Sequence, residues 1–304
     1  MRIHDSWSTS GFSLPPVAPR TGPFPRRAFL ETWWHHRDPE DNARLAIIEN
    51  ETGLLALVDD GATLRFCGPP RLTDYHSPLG AGAADLLARA GRSELRGRRL
   101  VLDSLPAEGV EVITSGLGSA GLRATTTKDE ITAVLALPAS FDGWLANLPK
   151  KDRHEIRRKL RRFTAEYGEP ELVRTTNPAA LADFIVLHRT APGEKGEFMT
   201  ARMESFFRAL LTEAGAVLDL LVARNRVHAA SFGFEDEDGY YAYNAAYDRD
   251  AAASSPGIVL MTAVVAAQID RAAEFIDLLK GAEEYKFRLG AHARPLATVE
   301  SEIE

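Results

Sequence analysis

Short apolar runs bounded by turn residues alternate along this chain with longer stretches of helical spacing. Strand-like runs at 45–49, 54–58 and 63–67 are separated by signals such as Asp59-Asp60-Gly61. A helix carrying Trp33 and Trp34 precedes them, and an Ala/Leu helix over 82–91 follows the loop GPPRLTDYHSPLG. Further strands are expected near 100–103, 110–114 and 131–137. The second half repeats the rhythm, with helices over 178–190 and 201–214 and strands at 217–223, 227–235 and 240–247. A helix from Pro256 and a strand at 274–279 complete it. Each half reads helix, three-strand meander, loop, helix, strand, although no sequence identity links the halves. This pattern predicts an α+β protein.

Two segments stand outside that rhythm. Residues 1–25, with Pro15, Pro16, Pro19, Pro23 and Pro25, read as an extended N-terminal arm. Between the halves, a basic helix is expected over 149–168. Ile156, Leu160, Phe163 and Tyr167 fall on one of its faces, basic residues take the remainder, and Gly168 with Pro170 ends it. The helix is either a solvated charged helix docked by its apolar stripe or a cationic wall around a phosphate-rich ligand. On the second reading Arg153 and Arg157 contact the cofactor.

Composition narrows the class. With 304 residues, 45% apolar and 26% charged, the chain suits one large globular domain or two of ordinary size. Its single cysteine, Cys67, excludes an internal disulfide framework and a multi-cysteine metal site. No metal is expected. The N-terminus lacks a signal-peptide pattern, and the most apolar window, 258–267, is half of what a bilayer requires. A cytoplasmic protein without membrane insertion is expected. The net charge of −7 argues against general nucleic-acid coating, yet residues 150–162 sum to +6, leaving −13 for the rest.

The densest chemistry lies in residues 240–291. Ser254 or Ser255 can cap the helix start, Pro256 suits the first helical position, and Gly257 leaves the exposed N–H groups accessible. Such a start binds phosphate, and it is equally an ordinary capped helix. Tyr243, Asn244 and Tyr247 sit where the third strand should end. Asp277 lies inside an apolar strand and needs a partner, which Lys286 or Arg288 could supply. Lys286 otherwise binds phosphate or neutralises charge developing on a carbonyl oxygen.

Taken in order, LPKKDRHEIRRKLRRF, VLHR at 186–189, YNAAYDRDAAASSPGIVL and FIDLLKGAEEYKFRLGA resemble the CelD-like acetyltransferases. That family, named for cellulose biosynthesis, belongs to the GNAT superfamily and is related to the FemABX aminoacyltransferases. The loop GPPRLTDYHSPL resembles the family's first-half loop, so the likeness spans about residues 28–298. It implies two tandem GNAT-like domains, each a mixed, mostly antiparallel sheet flanked by helices. Residues 26–140 would form a degenerate domain and 141–304 the acyltransferase domain.

The resemblance also implies direct acyl transfer, typically acetyl, from acyl-CoA to an amine or hydroxyl in an interdomain cleft. Roles in cell-envelope or polysaccharide biosynthesis, with a small-molecule, saccharide or peptide acceptor, go with it. Ser255, Pro256 and Gly257 would face the CoA pyrophosphate. Asp74 and Tyr75 would enter from the first half, and His188, Arg189, Tyr243 and Asn244 from the second. Lys286 aligns with the family's Tyr-Lys lysine, and His188 or Asp74 would act as base. Two departures stand out: ASSPG replaces the superfamily's pyrophosphate loop, and Ser77 stands where the family often has an acid. An aminoacyl-tRNA donor, with the basic helix meeting RNA, is a second reading. A non-catalytic GNAT-fold binding protein is a third. The oligomeric state is not readable from the sequence.

Overall fold

The computed structural model describes residues 1–7, 10–93 and 95–303. They divide into two compact units, Met1–Thr132 with Arg294–Glu304, and Ala133–Ala293. The division falls inside one continuous strand, whereas the sequence reading placed it at 140/141.

The first unit runs β1 (Arg2–His4), α1 (Arg27–His35), β2 (Arg44–Glu49), β3 (Leu54–Asp59), β4 (Thr63–Phe66), α2 (Ala83–Gly91), β5 (Arg98–Leu105) and α3 (Ala107–Ser119), and β6 (Thr125–Ala136) leads out of it. β1 to β4 are antiparallel in sequence order, and β4 pairs in parallel with β5. A parallel pair needs a crossover, which α2 provides. Residues of the C-terminal strand return to pair antiparallel with β5, Ala297 opposite Leu105 and Ile303 opposite Arg98. Leu55, Leu57, Leu87, Leu100 and Leu102 form the core.

Two expectations change here. Residues 110–114 are not a strand but the centre of α3. Gly109, Ile113, Gly116 and Leu117 are its buried positions, the spacing of one helical face. A Cβ at Gly116 would lie 2.8 Å from the Ala84 carbonyl on α2, so glycine lets the two helices touch. The N-terminal arm, expected to be extended, contributes β1 to the sheet and packs the rest of its length against the unit. Ala18 and Phe24 are fully buried, Val17 N–H donates to Pro78 O and Gly80 N–H to Pro15 O. Ser8 and Thr9 of the arm lie outside the described residues.

The second unit runs α4 (Phe141–Asn147), α5 (Lys150–Tyr167), β7 (Glu171–Thr175), α6 (Leu181–Arg189), α7 (Glu194–Phe198), α8 (Ala201–Glu213), β8 (Ala216–Ala223), β9 (Arg226–Glu235), β10 (Gly239–Tyr247), α9 (Pro256–Asp270), β11 (Phe275–Lys280) and α10 (Glu284–Arg288), before β12 (His292–Ile303). β7 to β10 are antiparallel, and β10 pairs in parallel with β11 after the α9 crossover. Gly233 on β9 gives room to the Tyr240 ring, which lies where a Cβ would be.

α9 is apolar nearly all round because it is core. Val259, Leu260 and Val264 are buried with Ile276 and Leu278 of β11. Each such side chain contributes about 1.5–3 kcal/mol. The apolar stripe of α5 joins the same cluster, with Ile156 and Phe163 buried and Leu160 and Tyr167 partly so. Among the described residues no helix is long and apolar enough to cross a membrane.

Candidate active site

β10 and β11 pair at Gly239–Phe275, Tyr240–Ile276 and Tyr241–Asp277, and then separate. β10 continues to Tyr247 with β9 on one side and no strand on the other among the described residues. Its outer edge therefore carries backbone groups available to a ligand. A register shift between Ala242 and Asn244 marks a bulge. Strand residues normally alternate faces. The bulge instead lets Tyr243 stack on Phe207 of α8, at 5.7 Å, while Asn244 meets His188 of α6.

His188 is buried, and its Nε2 lies 3.1 Å from Asn244 Oδ1. Burial pushes its pKa down, and Lys195 adds to this. The neutral ring must therefore carry its proton on Nε2, because Asn244 Oδ1 only accepts. Among the described residues Nδ1 is buried without a geometrically sound hydrogen-bond partner. With Oδ1 engaged, Asn244 Nδ2 keeps two donors, and Asn244 is half-buried.

Lys195 on α7 donates to the Ala245 carbonyl of β10 at 2.7 Å. Burial and then Arg249 push its ammonium pKa down, while Glu283 opposes them. Arg249 donates to Tyr247 Oη at 2.6 Å and lies over that ring. At the start of α10, burial and then Glu283 push the Tyr285 phenol up to about 12. Tyr285 is still 40% exposed, so a ligand can reach it.

Lys286 sits otherwise than expected. It is 3% exposed, and its Nζ donates to the carbonyls of Leu279 (3.1 Å), Lys280 (2.6 Å) and Gly281 (3.3 Å). Its ion-pair partner is Glu283, at 3.0 Å, not Asp277. Asp277 Oδ1 accepts the Leu279 N–H at 2.8 Å. Leu279 has a φ of 59°, costly for a branched residue. Asp277 and Lys286 thus hold a bent strand end from both sides.

The α9 start is also not the expected cap. Ser255 is left-handed, with φ 54°, and neither it nor Ser254 caps the helix through its side chain. Ser254 instead donates its hydroxyl to Glu166 of α5. Pro256 does occupy the first turn, and Gly257 faces the Tyr247 ring.

The remaining predicted residues are scattered. The Arg153 guanidinium lies on the Leu145 and Ala146 carbonyls that end α4. Arg157 is exposed. Arg189 joins Met199 O and Glu204, at 2.9 and 2.8 Å. In the first unit, Tyr75 is fully buried with its hydroxyl 2.5 Å from Thr132 Oγ1, and Asp74 beside it is half-buried. Cys67 is buried, and burial raises its thiol pKa well above the usual value.

Of the residues expected at the site, the structure brings His188 of α6 to Asn244 of β10, while Lys195, Arg249 and Tyr285 were not among those expected. Tyr285 was within sight as the neighbour of Lys286, whereas only the α7 turn brings Lys195 to β10.

Residues 150–287, which include this whole arrangement, match the family described as Acetyltransferase (GNAT) domain. That stretch is similar to the GNAT acetyltransferase domain. Likeness of fold extends over the full length. A conserved protein of unknown function from Bacteroides thetaiotaomicron VPI-5482 superposes with a TM-score of 0.69 at 12% identity, over 99% of each chain. FemX gives 0.64 at 10% identity, over 98% of this chain and 97% of that one. L-PGS from Bacillus licheniformis gives 0.62 at 12%, over 92% and 93%. These superpositions show the fold over the full length: α+β, a mixed, mostly antiparallel sheet with helices. No curated protein matches the sequence.

Proposed function

We infer that the second unit transfers an acyl group from a pantetheine thioester, such as acetyl-CoA, to an amine or hydroxyl acceptor by direct attack. The observation that carries this is the separation of β10 from β11 after Tyr241 within a stretch similar to the GNAT domain. An extended arm containing amides can add to such an edge as a further strand would. Acyl thioesters carry that arm, and their reactive carbonyl then lies near the bulge.

Asn244 donates from Nδ2 to the thioester oxygen as charge develops there, and His188 fixes the amide's orientation. The acceptor's nitrogen or oxygen bonds to the acyl carbon, and the carbon–sulfur bond breaks. The departing thiolate takes the proton of Tyr285, which is protonated at neutral pH, and the phenolate recovers a proton from the acceptor's attacking nitrogen or oxygen. Lys286 is a positioning residue that holds the turn carrying Tyr285.

Hydrogen–deuterium exchange tests the reading. Saturating acetyl-CoA is expected to protect amides between Ala242 and Tyr247, and a ligand at about 100 times its Kd to stabilise the fold by about 2.7 kcal/mol. Exchange and melting both unchanged with acetyl-CoA and with longer acyl-CoAs would overturn it.

A further inference from the structure

α5 has a face that the acyl-transfer reading does not use. Its inner stripe is sunk in the core against α9. On the opposite side Lys150, Lys151, Arg157, Arg161 and Arg162 are exposed. None of these five makes an ion pair with an acidic side chain among the described residues, whereas Arg158 and Lys159 share Glu155. Eighteen residues make this stripe about 27 Å long. It holds the +6 of residues 150–162 on a chain that sums to −13 elsewhere.

The same helix reaches the proposed donor site. Glu166 in its last turn accepts the Ser254 hydroxyl just ahead of α9, and Glu155 feels the charge of Arg288 on α10. The α9 start offers little to a pyrophosphate. Pro256 has no N–H, and those of Ile258 and Val259 both go to Ser255 O, at 3.0 and 3.2 Å. Gly257 keeps the one amide of that turn without a backbone acceptor among the described residues.

We propose that the acyl donor is brought by a small acidic carrier protein bearing an acyl-phosphopantetheine arm, which docks on the exposed basic face of α5. The arm then follows the open edge of β10. A carrier-linked arm has one phosphodiester where CoA has a pyrophosphate and a further phosphate, which suits a helix start with one available amide. Charge complementarity selects the partner. A stripe one helix wide matches an acidic helix, while an RNA duplex, wider than the stripe, would press its phosphates against a surface of net negative charge. In the transfer itself the acceptor's nucleophilic atom bonds to the acyl carbon, the carbon–sulfur bond breaks, and the thiol leaves on the carrier with one proton. The proposal rests on the thioester reading and adds the identity of the donor's bearer.

The test compares acetyl-CoA, acetyl-pantetheine, a bacterial acyl carrier protein loaded with acetyl-phosphopantetheine, and an unacylated tRNA. Each is titrated against the wild type and a Lys151→Glu/Arg161→Glu variant, both sites being exposed on α5. The loaded carrier is expected to bind at least 10-fold tighter than acetyl-pantetheine and to weaken as salt rises. The double variant should lose at least 10-fold in carrier affinity while its acetyl-pantetheine affinity stays within 2-fold. Equal carrier binding by the two proteins, or tRNA binding tighter than the carrier, overturns the docking. Failure of all three thioesters to bind would instead sink the acyl-transfer reading, and the docking with it. Binding of acetyl-CoA and acetyl-pantetheine without the carrier would sink the docking alone.

Discussion

In both units the last strand of a meander pairs in parallel with the strand that follows one helix, and in both the pairing covers three positions. It ends at Arg65–Val101 in the first unit and at Tyr241–Asp277 in the second. The later strand has a left-handed residue one position before its end each time, Ser104 at φ 58° and Leu279 at φ 59°. An aspartate accepts the N–H of each, Asp129 at 3.0 Å and Asp277 at 2.8 Å. Beyond the meander the two units diverge. After β4, Gly68 at φ 103° turns the chain back on itself. The returning loop buries Tyr75, stacks His76 on Phe66 at 4.9 Å, and donates the His76 N–H to Ser104 O at 3.0 Å. After β10 the chain goes directly to α9, and among the described residues no strand covers the edge. The same backbone opening becomes core in one unit and a candidate site in the other. The length and return of one loop decide which.

The largest effect should come from emptying the filled opening. Tyr75→Ala removes a fully buried aromatic and its contact with Thr132. A stability loss of about 3–5 kcal/mol is expected in urea denaturation. Thioester affinity should be unchanged in the surviving folded fraction. A loss below about 1 kcal/mol, the level of an ordinary substitution, would mean that the loop decorates the first unit without being part of its core.

In the open unit the same kind of truncation should damage chemistry instead. Asn244→Ala is expected to lower kcat about 10²- to 10³-fold, the effect of losing one oxyanion donor, with a stability loss of only about 1–3 kcal/mol from the unpaired His188 Nε2–H. His188→Gln should fall between wild type and Asn244→Ala, because it disturbs only the amide's orientation. Equal rates for Asn244→Ala and wild type would remove Asn244 from the reaction.

These contrasts also mark how far the sequence could be read. The repeated meander was legible because apolar runs and turn residues are local, and the α5 stripe because its spacing is helical. The segment at 110–114 misled because Val110, Val112, Ile113 and Thr114 favour strands, while the glycines that dock α3 on α2 act only in tertiary contact. Lys286 was read for its charge. That its ammonium would be spent on three carbonyls depends on the bend at Leu279, which no local pattern announces. The order of motifs placed His188 and Asn244 in one half, but the bulge that turns Asn244 toward His188 is a matter of register.

Lys286 sharpens the comparison, since it stabilises the strand end beside the open edge. Lys286→Met should cost about 1–3 kcal/mol by leaving buried carbonyls unpaired, and turnover should fall as α10 loosens around Tyr285. A large fall in turnover at unchanged stability would instead place the ammonium on the substrate.

The smallest effect is a pH dependence that belongs to the second unit. His188 and His228 are both buried there, and burial lowers the pKa of each, helped by Lys195 and Arg226 respectively. In the unfolded chain both titrate near 6.5. Above that value neither state binds the proton, so the full stability is present. As pH falls below it, the unfolded chain takes up protons that the folded chain refuses, and stability declines until the folded pKa values are reached. Each histidine adds at most about 1.4 kcal/mol per pH unit to that slope. Asp248, whose carboxylate lies 3.9 Å from His228 Nδ1, opposes the shift there, as the Asn244 hydrogen bond opposes it at His188. Urea melts between pH 7 and pH 5 should show the decline in the wild type and a shallower one in His188→Gln. Parallel profiles for the two proteins would mean that His188 accepts a proton in the folded state as readily as in the unfolded chain.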